Sequence, residues 1–135
     1  MAEFTNTVAV LGDDAVVDSI IERTIAEFKD NMITSIGLCA FLNCSNLAIV
    51  DLPSVLYIDS EAFNKCSALA TFILRGNQLC ALANANALNN TPIKSGTGYI
   101  YVPRAMVDSY KAASNWSTYA NQFRAIEDYP EITGG

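Results

Sequence analysis

Ala40 to Leu47 reads AFLNCSNL, and 22 residues later Ala62 to Leu69 reads AFNKCSAL, with five of the eight positions identical. A chain that repeats at a fixed short period builds itself from stacked copies of one unit, because one unit cannot bury its own apolar side. The alignment extends without a gap from Ile36–Pro53 onto Ile58–Arg75. Ile36/Ile58, Ala40/Ala62, Phe41/Phe63, Cys44/Cys66, Leu47/Leu69 and Leu52/Leu74 all match, and Val50/Phe72 is conservative. Each block is followed by a strand signal, LAIVDLPSV from Leu47 and LATFILRGN from Leu69. Side chains alternate along a strand, so Val50 and Leu52 face one way while Ile49 and Asp51 face the other.

Cys44 and Cys66 then occupy equivalent positions of adjacent units. Stacked strands lie about 4.8 Å apart, inside the disulfide Cα range of about 4.4–6.8 Å, so a bridge is geometrically conceivable. Equivalent Cβ vectors run parallel in a stack, however, and small apolar filler is the commoner use of a buried thiol. The four cysteines, Cys39, Cys44, Cys66 and Cys80, form no CxxC pair, and the chain has no histidine. Structural zinc, which needs paired short spacings, is not expected.

The flanks read as worn units and closing elements. Val16, Val17, Ile20, Ile21, Thr24 and Ile25 are spaced as on a helix, with Asp13 or Asp14 placed to cap it. IAEFKDNMIT reads as a first strand with Phe28 in the place of Val50. Downstream, Asn86–Leu88 stands where Ala-Phe would fall, after an insertion of about three residues. Tyr99–Val102 supplies another strand, with Ile100 and Val102 inward. Pro103 ends it and suits the first turn of a helix carrying Met106, Val107 and Tyr110 on one face. Trp116, Tyr119, Phe123 and Ile126 follow at spacings that fit a closing helical cover, and EDYPEITGG reads as a tail.

Composition narrows the function. The 135 residues make one domain, 51% hydrophobic, with eight basic and fourteen acidic residues and a net charge of −6. No two Lys or Arg are adjacent, which argues against nucleic acid and anionic membranes as partners. No segment reaches membrane-spanning length, so no membrane insertion is expected, and MAEFTNTVAVLG is no secretory signal peptide. The chain is therefore either not exported by that route or a piece of something longer. Without histidine there is no His-based general base or triad. IKSGTG (Ile93–Gly98) lacks the order of a phosphate loop. Gly12–Asp14 and Glu127–Glu131 lack the alternating oxygen spacing of a calcium loop. No catalytic residue, no metal site and no cofactor is expected, and the three N-x-[ST] sequons at Asn43, Asn89 and Asn115 read as chance.

The two A-F-x-x-C-S-x-L blocks, each with Ile four residues before, and the ending GTGYIYVPRAMVDSYKAASNW resemble BspA-type leucine-rich repeats, from Ile33 to about Ile126. The period of 22 also lies within the range of about 20–29 for such repeats, and Leu69–Asn77 follows L-x-x-F-x-L-x-x-N. The resemblance implies an α+β repeat fold, a short leucine-rich-repeat solenoid with helical N- and C-terminal caps. On that reading, residues 1–32 are an N-terminal helical cap and degenerate strand, and 33–102 hold two clear repeats and one degenerate one. Residues 103–128 are then a C-terminal helical cap and 129–135 a tail.

The resemblance also implies adhesion or recognition, on bacterial cell surfaces, in some protozoa and in phage tail-associated proteins. Only two clean repeats and no export signal or wall anchor are visible, which brings in a virion-associated component as an alternative. The expected binding surface is the outward row of the strands: Ile49, Asp51, Thr71, Ile73, Arg75, Tyr99 and Tyr101. That mix of aliphatic, aromatic and opposed charges suits an interface. The expected partner is a protein or a glycan on a host or cell surface. The alternative is homo-oligomeric assembly in a phage tail or fibre.

Overall fold

In the computed structural model, which describes residues 10, 11 and 26–134, each 22-residue unit contributes two short strands to two different sheets. One sheet stacks β1 (Val10–Leu11), β3 (Ser35–Ile36), β5 (Tyr57–Ile58) and β7 (Ala81–Leu82). The other stacks β2 (Glu27–Lys29), β4 (Ile49–Asp51), β6 (Thr71–Ile73), β8 (Tyr99–Val102) and β9 (Phe123–Ala125). Every pairing is parallel. The sequence period is the structural register: Ser35 pairs with Tyr57 and Ile49 with Thr71. Phe28 pairs with Val50, the place its spacing predicts. The helix expected over Val16–Ile25 lies outside the described residues.

A third set of contacts joins the A-F-x-x-C-S turns, which are not strands. Cys39, Phe41 and Asn43 donate their backbone N–H groups to the carbonyls of Ser60, Ala62 and Asn64 at 3.1, 2.7 and 2.8 Å. One unit on, Phe63 and Lys65 donate to Ala87 and Asn89 at 2.9 and 3.0 Å. Ala87 therefore takes the place of Ala62, as the three-residue insertion predicts. Alternate residues of the turn reach the next unit because Cys39, Asn43, Glu61 and Lys65 adopt left-handed φ of 56°, 62°, 54° and 66°. Away from glycine and asparagine that conformation costs on the order of 1 kcal/mol per residue, which the inter-unit hydrogen bonds offset.

The core fills the space enclosed by these three ladders. Val50, Phe72 and Ile100 are fully buried, and Phe28 and Phe123 extend the same row. Phe41 and Phe63, one per turn, stack with ring centroids 5.1 Å apart and planes 9° from parallel. Thr91 replaces the core cysteine in the third unit; its Oγ1 donates to the Leu88 carbonyl at 2.8 Å and accepts from Lys94 N–H. That hydroxyl caps α1 (Pro92–Ser95), a one-turn helix that absorbs the longer step from β6 to β8. Gly98 then lets the chain re-enter the sheet, since a Cβ there would lie 2.9 Å from the Ala70 Cα.

None of the four cysteines is disulfide-bonded, and Cys44, Cys66 and Cys80 are buried. Cys66 donates to the Phe41 carbonyl at 3.1 Å. Hydrogen bonding with Cys44, then burial, hold its thiol far above the usual pKa. Cys66 and Cys80, whose thiols are held in the neutral form, are packing groups.

The C-terminal region departs from the sequence reading first at Phe123–Ala125. The helix after Pro103 forms, as a 3-10 turn at Arg104–Met106 leading into α2 (Val107–Ala112), and a 3-10 stretch covers Trp116–Gln122. The helical spacing was expected to continue through Phe123 and Ile126. Instead, Phe123–Ala125 forms β9, because β8 presents an unpaired edge and Phe123 and Ala125 alternate inward against it.

Among the described residues no strand pairs with the outer edge of β7, the last strand of the four-stranded sheet, and side chains take the place of one. Cys80 N–H donates to the Tyr110 hydroxyl at 2.8 Å, and Trp116 Nε1 donates to the Cys80 carbonyl at 2.7 Å. Asn115 Nδ2 donates to the Leu82 carbonyl at 2.7 Å, and the Tyr119 hydroxyl donates to the Ala85 carbonyl. An edge that would otherwise template aggregation is thereby satisfied.

This seal makes the fold alkali-sensitive. Burial pushes the Tyr110 and Tyr119 hydroxyls and the Cys80 thiol up to about 12. A raised folded-state pKa in an acid group means that folding favours the neutral form. The associated stability is full below the unfolded pKa values of about 8.5 for Cys and 10 for Tyr. It drains away as pH rises toward 12. Circular dichroism should therefore be lost between about pH 10 and 12, with part of the 295 nm tyrosinate absorbance appearing in step. Complete tyrosinate formation near pH 10 with intact dichroism would contradict the seal.

Candidate functional site

The side of the five-stranded sheet opposite the core carries two rows set by register. Glu27, Ile49, Thr71 and Tyr99 form one; Lys29, Asp51, Ile73, Tyr101 and Arg124 form the other. Alternation puts them there, because their neighbours Phe28, Val50, Phe72 and Ile100 fill the core. Arg75 follows on from β6 and makes a two-pronged contact to Asp51, Nε to Oδ1 at 2.8 Å and Nη2 to Oδ2 at 2.9 Å. The pair is well shielded, with side chains 27% and 13% exposed, and such forked geometry holds both groups in one orientation.

The structure brings all seven sequence-nominated residues to this side of the sheet but does not leave them equally accessible. Ile49, Asp51, Thr71, Arg75 and Tyr99 are half-buried, whereas Ile73 and Tyr101 are only 2% and 4% exposed. The cover is the chain's own C-terminal segment. Residues 129–135 read as a tail from sequence, yet Pro130–Thr133 forms a one-turn helix, α3, following a 3-10 turn at Ile126–Asp128. Ile126 joins Ile73 and Tyr101 in a small apolar cluster of its own, with Tyr99 and Tyr129 packed against it. The Tyr129 ring meets Tyr101 edge-on at 5.5 Å. Thr133 Oγ1 donates to the Tyr129 carbonyl at 2.9 Å, and the Thr133 carbonyl accepts from Arg75 Nη2. The Arg124 guanidinium lies 4.5 Å over the Tyr99 ring.

Beside the Asp51–Arg75 pair opens a cleft of about 370 Å3, lined by Lys29, Asp30, Met32, Asp51, Pro53 and Arg75 among others. Asp30 is committed to the backbone, its Oδ1 accepting from Met32 and Ile33 N–H at 2.7 and 3.0 Å. Met32 is 52% exposed at the rim. The cleft mixes both charges with a flexible apolar side chain.

Sequence reasoning did not single out Met32 or the C-terminal cover. It also missed three exposed apolar side chains at and beside the four-stranded sheet, Leu56, Tyr57 and Leu79, which are 44%, 39% and 44% exposed. Leu56 precedes β5 and Leu79 precedes β7, so strand alternation does not reach them. Among the described residues no cluster of three or more His, Cys, Asp or Glu could hold a metal ion, and no helix is long and apolar enough to cross a membrane.

Comparison with known proteins places this geometry. A family model described as a BspA type leucine rich repeat region, of 6 copies, matches residues 2–102. No curated protein matches. The match ends at the last residue of β8, so α2, β9 and the segment covering Ile73 and Tyr101 lie beyond it.

Proposed function

The chain belongs to the BspA-type leucine-rich repeat family, and we propose that it is a non-enzymatic protein-binding module, a short solenoid closed by helical caps. Its recognition surface is the outer face of the five-stranded sheet. Repeats of this type generally serve protein interaction and are typically surface-associated in bacteria. The observation that carries the reading is the in-register row of half-buried Ile49, Thr71 and Tyr99, flanked by the fixed Asp51–Arg75 fork. A prearranged face loses little side-chain entropy on binding. The partner is a protein on a host or cell surface, with a glycan as the narrower possibility, and the module works at a cell surface or on a virion.

The exposed side chains Leu56, Tyr57 and Leu79 favour a second reading, in which the domain is a homo-oligomeric assembly unit of a phage tail or fibre. The two are separated by charge insertion. Ile49→Arg and Thr71→Arg should each weaken binding of a protein partner at least tenfold. Both sites are half-buried on the outward side, so the melting temperature should move by only about 3 °C. Unchanged affinity in both variants would rule out this face.

A further inference from the structure

The chemistry of residues 126–133 identifies what else would dock on the outer sheet face. The segment offers Ile126 and Tyr129 to the apolar cluster and carries Glu127, Asp128 and Glu131. Two of the four arginines in a chain of net charge −6 contact it, Arg75 and Arg104. Arg104 pairs with Asp128, and its backbone N–H donates to Glu127 Oε1 at 2.8 Å. Arg75 holds the Thr133 carbonyl, and Arg124 sits over Tyr99 in the same row of rings. The attachment is local: two apolar side chains, two short helical turns and a few polar contacts, the kind of element that can open below the free energy of global unfolding.

We propose that this face is a binding site for an acidic, tyrosine-bearing peptide segment of a partner protein, a site that residues 126–133 fill in the isolated chain and vacate on binding. The proposal rests on the strand-face reading and adds the chemistry of the ligand. Aromatic and aliphatic side chains three residues apart fill the cluster over Ile73 and Tyr101, flanking carboxylates meet Arg104, and a backbone carbonyl meets Arg75. A tethered segment acts at an effective concentration on the order of millimolar. An incoming peptide must therefore match the face better, or gain from contacts with Ile49, Thr71 and the adjoining cleft.

The test uses the full chain carrying Tyr129→Ala, with 13C-labelled isoleucine methyl groups, and a synthetic peptide of residues 126–134. The Ile73 methyl lies in the cluster with the Tyr101 and Tyr129 rings, so the substitution should shift its resonance, and millimolar peptide should restore it. A peptide with Tyr129→Ala should need at least tenfold more, and the unsubstituted chain should respond at least tenfold less. Ile126→Ser provides a second full-chain host should Tyr129→Ala fail to fold. No response of Ile73 to the peptide in either host overturns the proposal, as does an equal response to the peptide lacking tyrosine. Because the titration uses no partner protein, its failure removes the exchange and leaves the strand-face reading to the Ile49 and Thr71 substitutions.

Discussion

Phe63→Ala should lower the unfolding free energy by about 3–5 kcal/mol, read as a fall in the urea midpoint with little change in slope. Phe63 is fully buried where the turn ladder meets the five-stranded sheet. Its ring stacks on Phe41 at 5.1 Å and meets Phe72 edge-on at 5.1 Å. Each aromatic pair adds about 0.5–1.5 kcal/mol beyond area burial, which places the loss toward the upper end of the range. The cavity cannot close by local collapse. Phe41 and Phe72 belong to neighbouring turns and strands whose spacing is fixed by parallel hydrogen bonds. Leu56→Ala, at a side chain 44% exposed, should stay within about 0.5 kcal/mol. Equal losses at the two sites would mean that the repeated phenylalanine is not the structural unit.

Trp116→Ala should have an effect of similar size, with a different signature. Trp116 is 1% exposed and packs on Tyr110 at 5.5 Å and Phe123 at 6.0 Å, so truncation costs about 3–5 kcal/mol. It also orphans the Cys80 carbonyl, which accepts from Nε1 at 2.7 Å. Trp116→Phe keeps most of the packing and removes only that donor, and should cost about 1–3 kcal/mol. Because the indole stands where a further strand would pair with β7, Trp116→Ala should also promote aggregation at concentrations where Phe63→Ala of matched stability stays soluble. Light scattering at equal fractions unfolded distinguishes the two; identical behaviour would show that the β7 edge does not depend on this side chain.

These variants mark how far the sequence could be read. The period of 22 residues located Phe28, the inward row of Val50, Phe72 and Ile100, and the shifted unit at Ala87, because a stacked parallel array converts sequence offset directly into register. Local signals could not locate β9. The spacing of Trp116, Tyr119 and Phe123 is helical, and what decides their structure is the open edge of β8, a tertiary partner. Three of the left-handed turn positions were equally silent, since Cys39, Glu61 and Lys65 are neither glycine nor asparagine, unlike Asn43.

At the candidate site, alternation showed which side chains leave the core but not what covers them. Ile73 and Tyr101 read as surface until Ile126 and Tyr129 close over them. A polar stretch such as EDYPEIT gives no periodicity from which to foresee that contact. The Asp51–Arg75 fork joins two residues 24 apart, and only the parallel register of β4 and β6 brings them together.

The central claim, that the strand face of a single chain recognises another molecule and not its own copies, is tested most directly by sedimentation velocity at low micromolar concentration. The wild type and Thr71→Arg are run side by side. The account predicts one species of monomer mass for both chains. A stable oligomer of the wild type that Thr71→Arg dissociates would contradict it, because the face would then be occupied by the protein's own copies.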